Sequence, residues 1–165
     1  MKQPDVVQGR PLYIAGLRQR VDSKIAGPRI ASLWRKLNMH GKVEGQIDGQ
    51  PAYGVSYFAN DKEFDYVAGV AVKNGFVTVP EGFVLLEIPE QTWLVFEHRG
   101  HVQTLPDTIH KIWTDWFPRQ TEWKPAETSS VTPIVMETYD EERFDDTQGA
   151  GIVELWVAAA ATAKP

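Results

Sequence analysis

The sequence predicts an α+β fold made of two βαββ repeats, with an antiparallel sheet, two main helices and a central groove. Residues 12–72 and 93–158 each run through the order strand, helix, strand, strand. Both predicted helices carry apolar residues at positions i, i+3, i+4 and i+7, which lie on one helix face. Two such units related by a pseudo-twofold axis leave a groove at their junction, a natural place for a ligand. The matching apolar positions are Ile30, Leu33, Trp34 and Leu37 in the first helix, and Ile109, Ile112, Trp113 and Trp116 in the second.

Turn and cap residues delimit the elements of the first repeat. An apolar run at 12–21 follows Pro11 and predicts a strand. The helix is expected from Pro28 to about Met39, ending before Gly41 because glycine tolerates the left-handed cap conformation. Residues 42–51 are polar and glycine-rich and predict a loop. Residues 52–59 and 64–72 predict a hairpin.

The second repeat follows a bridge at 73–90 that contains a short candidate strand at 83–90. A strand is expected at 91–102, and the helix is expected to start near Thr104 with Pro106 in its first turn. Pro118 should stop this helix at Phe117. A polar loop at 119–132, a strand at 131–140, an acidic loop at 141–151 and a last strand at 152–159 complete the unit.

Composition restricts the function classes. A chain of 165 residues predicts one domain over 1–165, and a net charge of −5 argues against nucleic acid as the main partner. The absence of cysteine excludes disulfides, thiolate catalysis and Cys-ligated zinc. No apolar run approaches a membrane span and the start lacks a signal-peptide core, so we expect a cytoplasmic protein. His98 and His101 have no third ligand nearby in sequence, so neither a metal nor another cofactor is predicted.

Two carboxylates on predicted strands are the main candidates for binding. Strand alternation places Glu137 on one face with Tyr139, and places Glu154 on one face with Trp156. If both pairs face the groove, each strand presents a carboxylate beside an aromatic ring. That combination favours a lipophilic cation, because the rings supply apolar area and cation–π attraction while the carboxylate neutralises the charge. The alternative is that both glutamates face solvent.

Three motifs carry a resemblance to a known family. They are H-x-G at 98–100, W-x-x-W-F-P at 113–118 and P-x-x-x-E-x-Y at 133–139. With the surrounding segments, residues 10–158 resemble the GyrI-like family, the effector-binding domains of Rob- and BmrR-type multidrug regulators. The resemblance implies tandem SH2-like repeats that bind hydrophobic, often cationic compounds around one buried glutamate. By motif position that glutamate is Glu137, with Tyr139 in the same motif.

The remaining candidate ligand residues come from position in the repeat. Trp116 and Phe117 lie near the helix end and are expected to line the groove, whereas Trp113 is expected in the core. Phe58 matches Tyr139 across the repeats. Tyr57 precedes Phe58, and the sequence does not decide which face of the sheet Tyr57 lies on. No catalytic residue is predicted. The predicted ligand-binding set is Glu137, Tyr139, Trp156, Glu154, Trp116, Phe117, Phe58 and Tyr57.

The expected function is a stand-alone module that binds or sequesters lipophilic, cationic drugs or toxins. The first strand begins near residue 12, so we expect no helix-turn-helix domain ahead of it and no direct DNA binding. The last strand, WVAAAA, departs from the proline-containing run usual in the family. Two alternatives stay open: a hydrolase of reactive electrophilic natural products in the same groove, and a protein-interaction role such as gyrase inhibition. An open edge strand could also support a homodimer.

Overall fold

The computed structural model describes residues 1–163 and contains one ten-stranded sheet with two helices on one face. The second helix, α2 (Leu105–Lys111), continues through a π turn at Ile112–Trp116 and a 3-10 turn at Phe117–Arg119. No helix in the described part of the chain is long and apolar enough to cross a membrane. The elements are β1 (Asp5–Gly9), β2 (Leu12–Asp22), α1 (Ala26–His40), β3 (Ala52–Tyr57), β4 (Glu63–Val72), β5 (Val84–Ile88), β6 (Gln91–His101), α2 (Leu105–Lys111), β7 (Trp123–Pro125), β8 (Val135–Tyr139), β9 (Phe144–Asp145) and β10 (Ala150–Ala161).

The strand order confirms the two βαββ repeats. The main path through the sheet is β1-β6-β10-β8-β3-β4-β2-β5, with antiparallel pairing between neighbours. Strands β2, β4 and β3 of the first repeat therefore mirror β6, β10 and β8 of the second. The repeats meet where β3 pairs with β8, so the pseudo-twofold junction lies at the centre of the sheet.

Both helices pack on the same face of this sheet. Leu33 and Leu37 of α1 share a core with Tyr66 and Ala68 of β4. On the other half, the α2 segment packs with Leu155 of β10. The pairing registers place four residues in one row across the junction, and paired residues point to the same face. That row, from first repeat to second, is Ala68, Gly54, Glu137 and Leu155.

The opposite face encloses a second core. Trp93 of β6 and Ile88 of β5 lie near opposite ends of the strand order, yet both belong to one buried cluster with Val55 and Met136. A sheet whose distant strands share one core must curl around it. This explains why strands β3 and β8 are buried on both faces although helices cover only one.

Candidate functional site

The Glu137 carboxylate lies at the junction of the repeats, beneath the helices. Glu137 is buried, with 6% of its surface exposed. Its Oε1 atom accepts hydrogen bonds from the Tyr139 hydroxyl at 2.5 Å and the Tyr66 hydroxyl at 3.0 Å. The Tyr66 oxygen accepts in turn from Trp34 Nε1 at 3.1 Å. Three ring side chains, from α1, β4 and β8, therefore converge on one buried acid.

Gly54 makes room for this arrangement. It pairs with Glu137 across the β3–β8 junction and with Ala68 on its other side. A Cβ atom at position 54 would lie 2.1 Å from the Tyr66 hydroxyl oxygen and 2.8 Å from Glu137 Oε1. Only glycine leaves the Tyr66 side chain free to cross β3 and reach the carboxylate.

Aromatic rings from both repeats close over the carboxylate. Trp34 of α1 meets Tyr139 of β8 edge to face, with ring centroids 5.3 Å apart. Tyr139 meets Phe144 in the same manner at 5.0 Å. Trp34, Tyr139 and Phe144 are half-buried, so these rings stand between Glu137 and solvent. We call this site the Glu137 cleft; it comprises Trp34, Tyr66, Glu137, Tyr139 and Phe144.

Burial dominates the electrostatics of the cleft. It raises the pKa of Glu137 from 4.5 to about 7, even though the hydrogen bonds from Tyr139 and Tyr66 oppose the increase. Burial, together with the nearby Glu137 charge, also raises the pKa of both tyrosines well above 10.0, so their hydroxyls stay protonated and donate. No cation among residues 1–163 contributes to the Glu137 pKa. The cleft therefore holds a carboxyl group that is poised to gain either a proton or an external positive charge.

The structure does not bring Glu154 and Trp156 together with Glu137. In the β8–β10 ladder Leu155 is the partner of Glu137, whereas Glu154 and Trp156 pair with Thr138 and Met136. They therefore lie on the opposite face of the sheet. The Glu154 carboxylate accepts from Trp156 Nε1 at 3.2 Å and from Arg143 Nη1 at 3.3 Å.

Trp116 and Phe117 do not line the groove as expected. Each is only 8% exposed, and both pack in the core under α2, where Trp116 meets Phe96 at 5.0 Å. Trp113, which is expected in the core, packs against that same core as a half-buried residue and stacks on Phe117 at 5.3 Å. Trp116 follows Ile112 by four residues, so it lies on the same apolar helix stripe as that fully buried side chain.

Tyr57 and Phe58 do not reach the cleft either, contrary to the prediction. Tyr57 alternates with Tyr53 and Val55 and is buried in the core on the opposite face. Phe58 is 47% exposed and has a positive φ of 50°. Its ring lies 6.0 Å from the Arg18 guanidinium, and Arg18 pairs with Val67 on that opposite face.

Three residues of the cleft, namely Trp34, Tyr66 and Phe144, escaped the sequence reasoning, and so did Gly54 beside them. Trp34 was identified only as part of the apolar helix stripe, although it lies at the same stripe position as Trp113. Tyr66 shares its strand face with the helix-packed Ala68, so β4 alternation could have placed it under α1. The requirement for glycine at position 54 depends on the contact between two repeats, for which one sequence offers no signal.

His98 ties strand β6 to the start of the second helix. It is buried, and its ring nitrogens lie 2.6 Å from Thr108 Oγ1 and 3.0 Å from the His101 carbonyl oxygen. Among the residues that the structure describes, no group of three His, Cys, Asp or Glu could hold a metal ion.

Tyr57→Phe is expected to leave the free energy of unfolding unchanged or to raise it by up to about 1 kcal/mol. The Tyr57 hydroxyl is buried and has no hydrogen-bond partner within the described chain, so its removal ends a desolvation cost. Tyr66→Phe is the matched control, because it removes a hydroxyl that donates to Glu137; it should lower stability by about 1–3 kcal/mol. Urea unfolding of both variants checks this, and equal losses would contradict it.

The family model for the GyrI-like small molecule binding domain matches residues 2–160. The chain belongs to the GyrI-like family. Among curated proteins, the transcriptional regulator BrlR of Pseudomonas aeruginosa is 32% identical over 89 residues, covering 53% of this chain and 33% of BrlR. The match therefore spans about a third of that relative's length.

Solved structures of low sequence identity share the fold of this GyrI-like chain. SAV2435 bound to tetraphenylphosphonium has a TM-score of 0.69 at 18% identity, with 96% of this chain and 94% of SAV2435 covered. The EcmrR C-terminal domain has a TM-score of 0.66 at 11% identity, with 97% and 98% covered. A transcription regulation protein from Staphylococcus aureus MU50 gives 0.62 at 19% identity, with 95% and 97% covered.

Proposed function

We propose that this GyrI-like chain binds lipophilic cations in the Glu137 cleft, with the Glu137 carboxylate as the counter-charge. The observation that carries the proposal is the buried carboxylate itself, which lies under aromatic rings at the repeat junction and whose side-chain partners within residues 1–163 are two tyrosine hydroxyls. Membership of a small-molecule binding family supports it. So does the shared fold with SAV2435 bound to tetraphenylphosphonium, a cation that carries four phenyl groups.

The energetics of the empty cleft favour a cation as ligand. Burial holds the Glu137 pKa at about 7, so at neutral pH the protein either binds a proton or leaves a charge poorly solvated. A ligand cation within reach of the carboxylate relieves that cost, and each aromatic face adds about 0.5–2 kcal/mol of cation–π attraction. Neutral ligands of the same shape obtain only the apolar contacts.

Ligand entry requires Trp34 and Tyr139 to separate. Their edge-to-face contact joins α1 to the second repeat directly above Glu137. Both side chains are half-buried, so an aromatic ring of the ligand can take the place of the Trp34–Tyr139 contact with a small loss of packing. The Tyr66 hydroxyl is fixed by Trp34 and would remain the donor to Glu137 when Tyr139 moves.

Tryptophan-fluorescence titration with rhodamine 6G and with an uncharged aromatic of similar size tests the proposal. The native protein should bind the cation more tightly than the neutral compound. Glu137→Gln should weaken the affinity for the cation about 10- to 100-fold and leave the affinity for the neutral compound nearly unchanged. Glu154→Gln is the matched control, because that glutamate lies on the opposite face and is paired with Arg143. Equal weakening of both ligands by Glu137→Gln would contradict the proposal.

A hydrolase is the second candidate, favoured by one observation. A carboxyl group whose pKa is about 7 suits general acid–base catalysis at neutral pH. Glu137 could then activate water against a strained, electrophilic ring. Incubation with styrene oxide, followed by mass detection of the diol, separates the candidates: catalysis predicts turnover that Glu137→Gln abolishes while binding persists.

We further propose that residues 1–165 act as one ligand-binding unit in the cytoplasm. The net charge of −5 opposes contact with DNA phosphates, so the chain should act on small molecules rather than on DNA. Retention on a heparin column at low salt would contradict this part of the proposal.

A further inference from the structure

The curled face of the sheet holds a cavity of about 300 Å³ that the Glu137 cleft does not use. Aromatic and apolar side chains from both repeats line it, and the β1–β2 turn closes one side. We call it the back cavity. The lining residues that carry the argument are Trp93, Trp156, Tyr53, Met136, Ile88 and Arg10.

The back cavity and the Glu137 cleft lie on opposite sides of the same two strands. On β8, Met136 lines the cavity, whereas its neighbour Glu137 points to the cleft. On β3, Tyr53 lines the cavity, whereas its neighbour Gly54 pairs with Glu137 on the cleft side. Alternation along a strand sends consecutive side chains to opposite faces. The two sites therefore share backbone but no side chain, and a variant in one leaves the other's lining intact.

Two indole rings define the apolar part of the cavity. Trp93 and Trp156 meet edge to face with centroids 6.0 Å apart, and Trp156 is half-buried. Trp93 is only 3% exposed, so Trp156 presents most of the indole surface that a flat aromatic ring can contact. The volume lies at the lower end of small-molecule sites, so it suits one or two fused rings rather than a large multi-ring dye.

The charge at the cavity is positive. Arg10, in the β1–β2 turn, is the charged residue that lines it, and Arg10 forms no ion pair within residues 1–163. The charge of the Glu154 carboxylate helps to raise the pKa of Tyr53, but Trp156 Nε1 and Arg143 already bind that carboxylate. Burial raises the pKa of Tyr53 to about 12, so its hydroxyl stays protonated and can donate to an acceptor.

We propose that the back cavity is a second ligand site, which takes a small planar aromatic carboxylate. Its rings lie against Trp93 and Trp156, and its carboxylate faces Arg10. The site is thus opposite in charge preference to the Glu137 cleft, on which it does not depend.

Calorimetric titration with naphthalene-2-carboxylate and naphthalene-2-carboxamide tests the site. The native protein should bind both saturably, with the carboxylate about fivefold tighter, as expected for one solvent-accessible charge pair. Arg10→Ala should remove that difference. Val7→Trp places a large ring in the cavity from an edge strand and should abolish binding of both compounds.

Glu137→Gln is the matched control and should leave both affinities unchanged. Thermal unfolding confirms that each variant is folded, and Leu12→Trp replaces Val7→Trp if the latter is not. Three results would overturn the proposal: no saturable binding, binding retained in the folded cavity-filling variant, or loss of binding in Glu137→Gln. None of these results depends on whether cations bind in the Glu137 cleft.

Discussion

Glu137→Gln is expected to abolish a fall of about 3 kcal/mol in the free energy of unfolding that the native protein shows between about pH 4.5 and pH 7. The native pKa of Glu137 is about 7, whereas the unfolded chain has the ordinary 4.5. Between these values the folded state binds more protons than the unfolded state, so stability is fully present at lower pH and declines as pH rises. Glutamine keeps an acceptor for both tyrosine hydroxyls and has no proton to lose.

Two other carboxylates with shifted pKa values, Asp65 and Glu97, change their contribution to stability below this pH range. Burial alone would raise the pKa of Asp65, but hydrogen bonds from Arg18 and Arg20 outweigh it and lower that pKa below 3.8. The same balance, with Arg143 and Arg99 as donors, lowers the pKa of Glu97 below 4.5. Because these groups are depressed, their contributions are lost only at more acidic pH. Among the carboxylates, Glu137 should therefore contribute most of the slope between pH 5 and pH 8, and the comparison with Glu137→Gln isolates its share.

Urea unfolding of the native protein and of Glu137→Gln at pH 5, 6, 7 and 8 measures the effect. The two proteins should be similar in stability at pH 5, and the variant should be the more stable by about 3 kcal/mol at pH 8. Glu154→Gln should retain the native slope, because Glu154 is half-exposed and paired. A native slope that persists in Glu137→Gln would show that another group carries it.

The sequence was sufficient to predict the repeats and the central acid. The structure confirms the tandem βαββ units that were predicted from the apolar spacing of the two helices and the order of the strands. Both signals follow from local periodicity. Glu137 was identified by its motif position in the family resemblance, and the structure places it buried beside Tyr139 and Tyr66. These features depend on one element at a time, which is the information that a single sequence carries best.

The errors arose where two elements must be aligned. Glu154 was assigned to the face of Glu137, but the β8–β10 register pairs Leu155 with Glu137, and a shift of one residue exchanges the faces. Trp116 was assigned to the groove because it lies near the helix end, but it packs with Ile112 in the core under α2. Tyr66 lies 71 positions from Glu137 and was missed because only the folded sheet brings its hydroxyl to the carboxylate.

Gly54→Ala is expected to lower the free energy of unfolding by about 2–3 kcal/mol and to disrupt the Glu137 cleft. The added methyl group would stand 2.1 Å from the Tyr66 hydroxyl oxygen and 2.8 Å from Tyr66 Cζ. Tyr66 is 1% exposed and is held by Trp34, so it has little space into which to retreat. Relief requires loss of the Tyr66–Glu137 hydrogen bond or displacement of Trp34, and either change should also weaken rhodamine 6G binding.

Two comparisons test the cause of this loss. Gly27→Ala, in the first turn of α1, places its methyl group where no atom lies within 4 Å apart from its chain neighbours and the nearby helix backbone, so it should change stability by no more than about 0.5 kcal/mol. The double variant Gly54→Ala/Tyr66→Phe lacks the hydroxyl that the methyl group meets first, so the two substitutions should cost less together than the sum of their separate effects. Additive losses would mean that the clash at position 54 involves the backbone or the carboxylate rather than Tyr66. A loss below about 0.5 kcal/mol in Gly54→Ala would show that the cleft adapts to a side chain there, and that the close approach of Tyr66 to β3 is not required for the fold.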